Sequence, residues 1–172
     1  MENNILVKKF ADRFIQYFKQ LEDIVEICPD GLWNKKSSGY TFSHQMVHTL
    51  GNMFLWMRDE AINFFDGIED GVNGLSIHNE LDMEPKDIQK QHHTKNDVLE
   101  MCAGTKNQCE KWFNNKNDDW LYLPIKMDIN RDINFTNFDV TMEMAQHTMY
   151  HIGHCEAVLR EHTIKIKTYL GY

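Results

Sequence analysis

The chain has 172 residues, of which 42% are hydrophobic and 12% aromatic, and its formal net charge at pH 7 is −8. These values predict a single folded domain over residues 1–172, and they exclude a disordered chain. The acidic balance argues against nucleic acid as a partner, and no apolar run approaches the ~20 residues that cross a bilayer. The N-terminus does not resemble a signal peptide, and none of the four cysteines forms a C-x-x-C pair. Free thiols in a cytoplasmic protein are therefore expected.

The first two predicted helices occupy the N-terminal part of the chain. Apolar residues recur every three or four positions over residues 4–27, which predicts a helix with one buried face. Pro29 and Gly31 are expected to end this helix. A second helix, apolar on most sides, is predicted over residues 41–65. A long connection to about His93 follows, with a short helical turn near 85–90.

Two further helices are predicted in the C-terminal half, and each begins with a threonine suited to capping. Thr94 precedes a helix over residues 94–114, and Thr136 precedes one over residues 136–165. Between them, residues 120–124 are predicted to form a short extended patch. The predicted buried stripe of the last helix consists of Phe138, Met142, Ala145, Met149, Ile152 and Leu159.

Four long helices without alternating β segments predict an all-α fold, in the form of a four-helix bundle. One long connection lies between the second and third helices, and another precedes the fourth. The α/β folds are poor alternatives because the sequence lacks the strands that they require.

Histidines on the last helix are the most informative feature of the sequence. His147 and His151 are four residues apart, so a helix places both on the same side, and His154 continues that line. Two imidazoles at this spacing can bind one divalent ion, but a further ligand must come from another element. The best source is the second helix, where His44 and His48 have the same spacing. The sequence therefore predicts a metal between two helices.

Two known metal-binding motifs that contain histidine are absent from this chain. Di-iron bundles need Glu-x-x-His and zincin proteases need His-Glu-x-x-His, and neither pattern occurs here. A mononuclear site rich in imidazole remains. The alternative is a bundle without metal, in which the histidines form hydrogen bonds within the core.

The order of these motifs resembles the DinB-like superfamily. The resemblance depends on His48 with Trp56 after it, and on the segment His147-x-x-Tyr150-His151-x-Gly153, and it extends over nearly the whole chain. It implies a DinB-like four-helix bundle in which three histidines bind a divalent metal, namely zinc, nickel or iron. Many members of the family are dimers, so a homodimer is expected. By this resemblance the ligands are His48, His147 and His151.

The resemblance also implies chemistry. Some family members are S-transferases that use a low-molecular-weight thiol, which predicts a transferase acting on a small molecule; a metal-dependent hydrolase and a non-catalytic binding or sensing bundle are the alternatives. Family members commonly have His-Arg-Gly-Gln where this chain has His151-Ile-Gly-His154. His154, and likewise His44, could add a nitrogen or a hydrogen bond. Tyr150 is a candidate proton donor, with an ordinary core or surface tyrosine as the alternative. Met144 and Trp56 are candidates for a pocket wall, with core packing as the alternative for both.

Overall fold

The computed structural model describes residues 3–37, 40–59, 93–125 and 135–165, and most of these residues are helical. In chain order they form α1 (Ile5–Ile27), α2 (Asp30–Trp33), β1 (Lys36–Ser37), β2 (Tyr40–Thr41), α3 (Phe42–Trp56), α4 (Lys95–Phe113), a 3-10 helix (Asp118–Tyr122) and α5 (Asn137–Glu161). The two short strands pair antiparallel, with Ser37 opposite Tyr40. The prediction of an all-α fold is thus confirmed for the described residues.

Each of the four long helices packs against two of the others. α1 contacts α4 and α5, and α3 contacts the same two helices. Their apolar faces share one hydrophobic core. The largest fully buried side chains are Phe14, Phe18, Leu21, Ile24, Met46, Leu50, Met53, Leu55 and Met57. Burying one such side chain stabilises the fold by roughly 1.5–3 kcal/mol, so this core holds the helices in a fixed register.

The helix starts follow from local hydrogen bonds. Thr94 and Asp97 form a capping box at the start of α4, and Thr136 and Asp139 form one at the start of α5. In each box the threonine hydroxyl accepts from one backbone amide and the carboxylate accepts from the other, which satisfies amides that the helix leaves without partners. Both threonine starts are confirmed.

α1 begins without a cap from its own side chains. Asn4 makes no capping hydrogen bond, and the amides of Leu6 and Val7 instead donate to Oδ1 of Asp118, at 2.9 and 3.0 Å. A carboxylate near a helix N-terminus also interacts favourably with the helix dipole. The 3-10 helix therefore anchors the start of α1.

The predicted second helix is too long at its C-terminal end. α3 ends at Trp56, and Met57 has φ −94° and ψ 64°, which is outside the helical region. Met57 is fully buried, its carbonyl accepts from Gln108 Nε2 at 3.0 Å, and its sulfur lies 3.4 Å from the Cys109 Sγ. These contacts with α4 replace the next helical turn. Residues 60–65, and the connection and turn predicted over 67–92, lie outside the described residues.

Two predictions for the C-terminal half are also wrong in part. Residues 120–122 of the predicted extended patch belong to the 3-10 helix, which Asn117 caps by accepting from the Trp120 amide at 3.0 Å. Leu123 is extended as predicted, and Pro124 forms an isolated antiparallel bridge with Thr136. The last helix ends at Glu161 rather than at residue 165. Thr163 then adopts φ 60°, in the left-handed region, which stops the helix.

The buried face of α5 also differs from the predicted stripe. Phe138 and Met149 are 37% and 39% exposed, whereas Thr141 and Thr148 are fully buried. Each threonine hydroxyl donates to the carbonyl four residues earlier, at 2.7 and 2.6 Å, so only its methyl group faces the core. This rotation of the buried face brings His151 inward.

No helix in the described ranges is sufficiently long and apolar to cross a membrane.

Candidate metal centre

The centre lies where α3 and α5 pack against each other. Nδ1 of His151 contacts Gln45, and Nε2 of His147 contacts His48. Residue numbers therefore increase along α3 while the numbers of the opposite residues on α5 decrease. The two helices are therefore antiparallel. Further along the same groove, the rings of Trp56 and Phe135 lie 6.0 Å apart, edge to face.

α3 begins shortly before the residues that reach this groove. The hydroxyl of Thr41 accepts from the amide of His44 at 3.1 Å, which starts α3. One line of the helix then carries His44, His48, Asn52 and Trp56, at intervals of four residues. Only His48 on this line lies opposite the histidines of α5.

Three imidazoles converge at this point. Nε2 of His147 lies 3.2 Å from Nε2 of His48 and 3.1 Å from Nε2 of His151. One nitrogen from each ring lies within 4.8 Å of the others. Two nitrogens bound to one tetrahedral ion at ~2.0–2.1 Å lie roughly 3.3 Å apart, so these separations fit a shared divalent cation.

A buried amide orients one of the three rings. Gln45 is 7% exposed, and its Oε1 accepts a hydrogen bond from Nδ1 of His151 at 2.6 Å. Because an amide oxygen only accepts, the proton of His151 resides on Nδ1 and its Nε2 presents a lone pair. Metal-binding histidines almost always have such a partner for the second ring nitrogen. His151 therefore presents the tautomer that can bind a metal through Nε2.

Burial favours the neutral form of the two α5 histidines, His147 and His151, by lowering their pKa values. It lowers the pKa of His151 to about 3, with further lowering from His147 and His48, the nearest imidazoles. Burial also lowers the pKa of His147, while the carboxylate of Glu143 opposes that shift. A neutral imidazole is the form that binds a metal, so a cation competes with few protons here.

The centre is open on one side. His151 is 8% exposed, whereas His48 and His147 are only half-buried. A site with three protein nitrogens and partial exposure leaves room for an exogenous ligand, as catalytic zinc sites do. Among the described residues, the group capable of holding a metal comprises His48, His147 and His151 alone.

The two additional histidines lie outside this group of three. His44 is 5% exposed and stacks on Tyr40, with ring centroids 5.1 Å apart and planes 13° apart. Its ring centroid is 6.0 Å from that of His48. His154 is half-buried, and its charge lowers the pKa of His151. Both are therefore neighbours of the centre and not members of the converging set.

The weaker candidates divide between surface and core. Tyr150 is 70% exposed, and its ring stands edge-on to His151 at 5.0 Å between centroids. Met144 is 3% exposed and belongs to the core, as its alternative assignment expected. Trp56 is half-buried against Phe135, two turns along α3 from His48.

The predicted role of the cysteines as free thiols is confirmed, since all four are free and buried. Burial raises the pKa of Cys28 and of Cys102 to about 12, and it also raises the pKa of Cys109 and of Cys155. Thiols in this state are inert, so the four cysteines are poor candidates for ligands or nucleophiles.

Two polar residues of the centre were not singled out from the sequence. Gln45 and Asn52 lie on one polar line of α3. The sequence does not show whether this line faces the core or the solvent, because the helix is apolar on most sides. The usable signal is the position of Gln45, three residues before His48, since metal-binding imidazoles need amide or carboxylate partners nearby.

Comparisons of this chain with protein-family models, with curated proteins and with solved structures return no match. The centre is therefore interpreted from its own geometry.

Proposed function

We propose that this protein binds one divalent metal ion through His48, His147 and His151, and uses it to activate a small molecule. The observation that carries the proposal is the convergence of three Nε2 atoms from two antiparallel helices, with separations of 3.1 and 3.2 Å along the two measured pairs. Imidazole ligands suit zinc, nickel and iron.

An ion held by His48, His147 and His151 would act as a Lewis acid and would lower the pKa of a bound thiol or water molecule toward neutral pH. The chain supplies the rest of the site. Gln45 holds His151 in the binding tautomer, and the lowered pKa of His147 and of His151 keeps both rings neutral. The partial exposure of His48 and His147 admits a substrate from solvent.

A DinB-like S-transferase is the activity that we favour. The support is the resemblance of the histidine motifs in sequence order, together with a site that keeps coordination positions open. The reaction would join a low-molecular-weight thiol to an electrophilic small molecule by displacement of a leaving group. A hydrolase uses the same centre with water in place of the thiol.

The proposal extends to the setting of the protein. Four free, buried cysteines fit a reducing compartment, so we retain the cytoplasmic location as part of the proposal. A homodimer is carried over from the resemblance as a further expectation.

Metal analysis of protein purified without a histidine tag tests the first step. We expect ~1 equivalent of zinc, nickel or iron per chain, and its loss in His147→Ala. His44→Ala is the matched control and should keep the metal, because His44 stacks on Tyr40 outside the converging group. Equal metal content in wild-type and His147→Ala protein would contradict the proposed ligands.

A thiol panel tests the second step. Metal-loaded protein is incubated with small thiols and chlorodinitrobenzene, and the thioether product is followed by absorbance. We expect product formation with at least one thiol, abolished by a chelator and by His48→Ala. Full metal occupancy without thiol consumption across the panel would instead favour the non-catalytic binding or sensing bundle.

A further inference from the structure

Asn52 lies one turn beyond His48 on α3, at the edge of the metal centre. Its Nδ2 donates to the backbone carbonyl of His48 at 2.9 Å and lies 3.4 Å from Nε2 of the same residue. The side chain is half-buried. The bond to the carbonyl fixes the amide beside the nitrogen that would bind the ion.

A side-chain amide has two N–H donors, and the carbonyl of His48 uses one of them. The second donor belongs to the same nitrogen, so it stays close to the converging Nε2 atoms. When the lone pair of His48 Nε2 is taken by a cation, this donor needs an acceptor, and a ligand at the open position is the nearest group of the required kind.

We infer that Asn52 binds the exogenous ligand of the metal centre and selects anionic donors, such as a thiolate or azide, over neutral ones. This inference depends on the proposed metal function. The physical basis is that an anionic donor atom keeps lone pairs after it binds a cation, and these accept strong hydrogen bonds. A neutral imidazole nitrogen has only one lone pair, so it has none left for Asn52.

The charge of the surroundings supports this selection. The three converging ligands are imidazoles, which are neutral when they bind a metal, so they add no negative charge to the ion. A divalent ion held only by neutral imidazoles keeps its full charge of two, which favours an anion at the open position. Asn52 adds a donor on this side without adding charge.

The test uses full-length protein loaded with cobalt(II), whose visible spectrum changes when a ligand binds. Azide is the anionic probe and imidazole the neutral one. The variants are Asn52→Leu, which keeps the number of side-chain heavy atoms, and Asn52→Ala, which removes any steric effect of leucine. Asn107→Leu, at an exposed position on α4, is the matched control.

We expect both Asn52 variants to bind azide about tenfold more weakly than wild-type protein, since a hydrogen bond to an anion is lost. Their affinities for cobalt and for imidazole should stay within about twofold of wild type, since Asn52 donates to the backbone carbonyl of His48 and, unlike Gln45, does not fix the tautomer of a ligand ring. Asn107→Leu should match wild type for both probes.

Unchanged azide affinity in the Asn52 variants would overturn the inference. An equal weakening of azide and imidazole would also overturn it, because that result shows only a displaced His48. Failure of the metal proposal looks different: wild-type protein would take up no cobalt at the three histidines, and both proposals would then fall together.

Discussion

His147 and His151 on α5 both direct Nε2 into the centre, whereas His44, which has the same spacing from His48 on α3, stacks on Tyr40. The two pairs are equivalent in the sequence. They differ because His48 lies opposite both histidines of α5, whereas the turn that holds His44 contacts α5 through Gln45, at His151, and through Met46, at Cys155. Helical spacing brings residues to one face, but the register between two helices decides which of them meet.

Removing one ligand should have the largest effect on this comparison. In His48→Ala or His147→Ala, only two nitrogens remain, and we expect zinc affinity to fall by about 100-fold or more, beyond the effect of losing an outer partner. His44→Ala should lower it by less than about threefold, because its ring lies outside the converging group. Competition against a chromophoric chelator measures all three. A large loss in His44→Ala would show that the two pairs contribute alike.

Replacing Gln45 should have the next largest effect. Gln45→Leu removes the acceptor for Nδ1 of His151, so the ring loses its fixed tautomer, and zinc affinity should fall roughly 10–100-fold. Gln45→Glu keeps an acceptor and should restore affinity to the wild-type level or above. If Leu and Glu behave alike in the chelator assay, the hydrogen bond does not orient the ligand.

Acid should destabilise the metal-free protein through the buried imidazole of His151. An unfolded histidine titrates near pH ~6.5, while burial lowers the pKa of folded His151 to about 3. Below pH ~6.5 the unfolded state therefore binds more protons than the folded state, and the free energy of unfolding falls with the pH. Between pH 7 and pH 5 His151 alone should account for roughly 1–2 kcal/mol.

Urea denaturation of apo protein at several pH values measures this slope. His151→Leu should flatten it over that range, whereas Tyr150→Phe, an adjacent exposed position, should leave it unchanged. A wild-type free energy of unfolding that is constant from pH 7 to pH 5 would contradict the lowered pKa.

Much of the fold could be predicted from local signals. The threonine starts of α4 and α5 follow from residues three apart, since a capping box is a local structure. The end of α3 could not, because Met57 leaves the helix through contacts with Gln108 and Cys109, which are about 50 residues away. Amphipathic periodicity contains no information about such contacts.

The site shows the same limit. The spacing of His147 and His151 predicted that they share a face, and the structure brings them together with His48. The spacing alone left His44 equivalent to His48, since choosing between them requires the helix register, and it was the resemblance to the DinB-like superfamily that favoured His48. The buried face of α5 was also predicted wrongly, because the predicted stripe omits Thr141 and Thr148. Their hydroxyls donate to carbonyls of the same helix, so these side chains can be buried like apolar ones.

The smallest predicted effect concerns the charge of Glu143, which lies on α5 beside the centre. Glu143 is exposed one turn before His147, and its carboxylate opposes the lowering of the pKa of His147 by burial. The same attraction should favour a bound cation, so Glu143→Gln should weaken zinc binding about two- to fivefold at low salt. The difference should largely vanish at 1 M salt, where the Debye length is about 3 Å. Glu161→Gln, at the far end of α5, is the matched control, and an equal loss there would mean that only net charge matters.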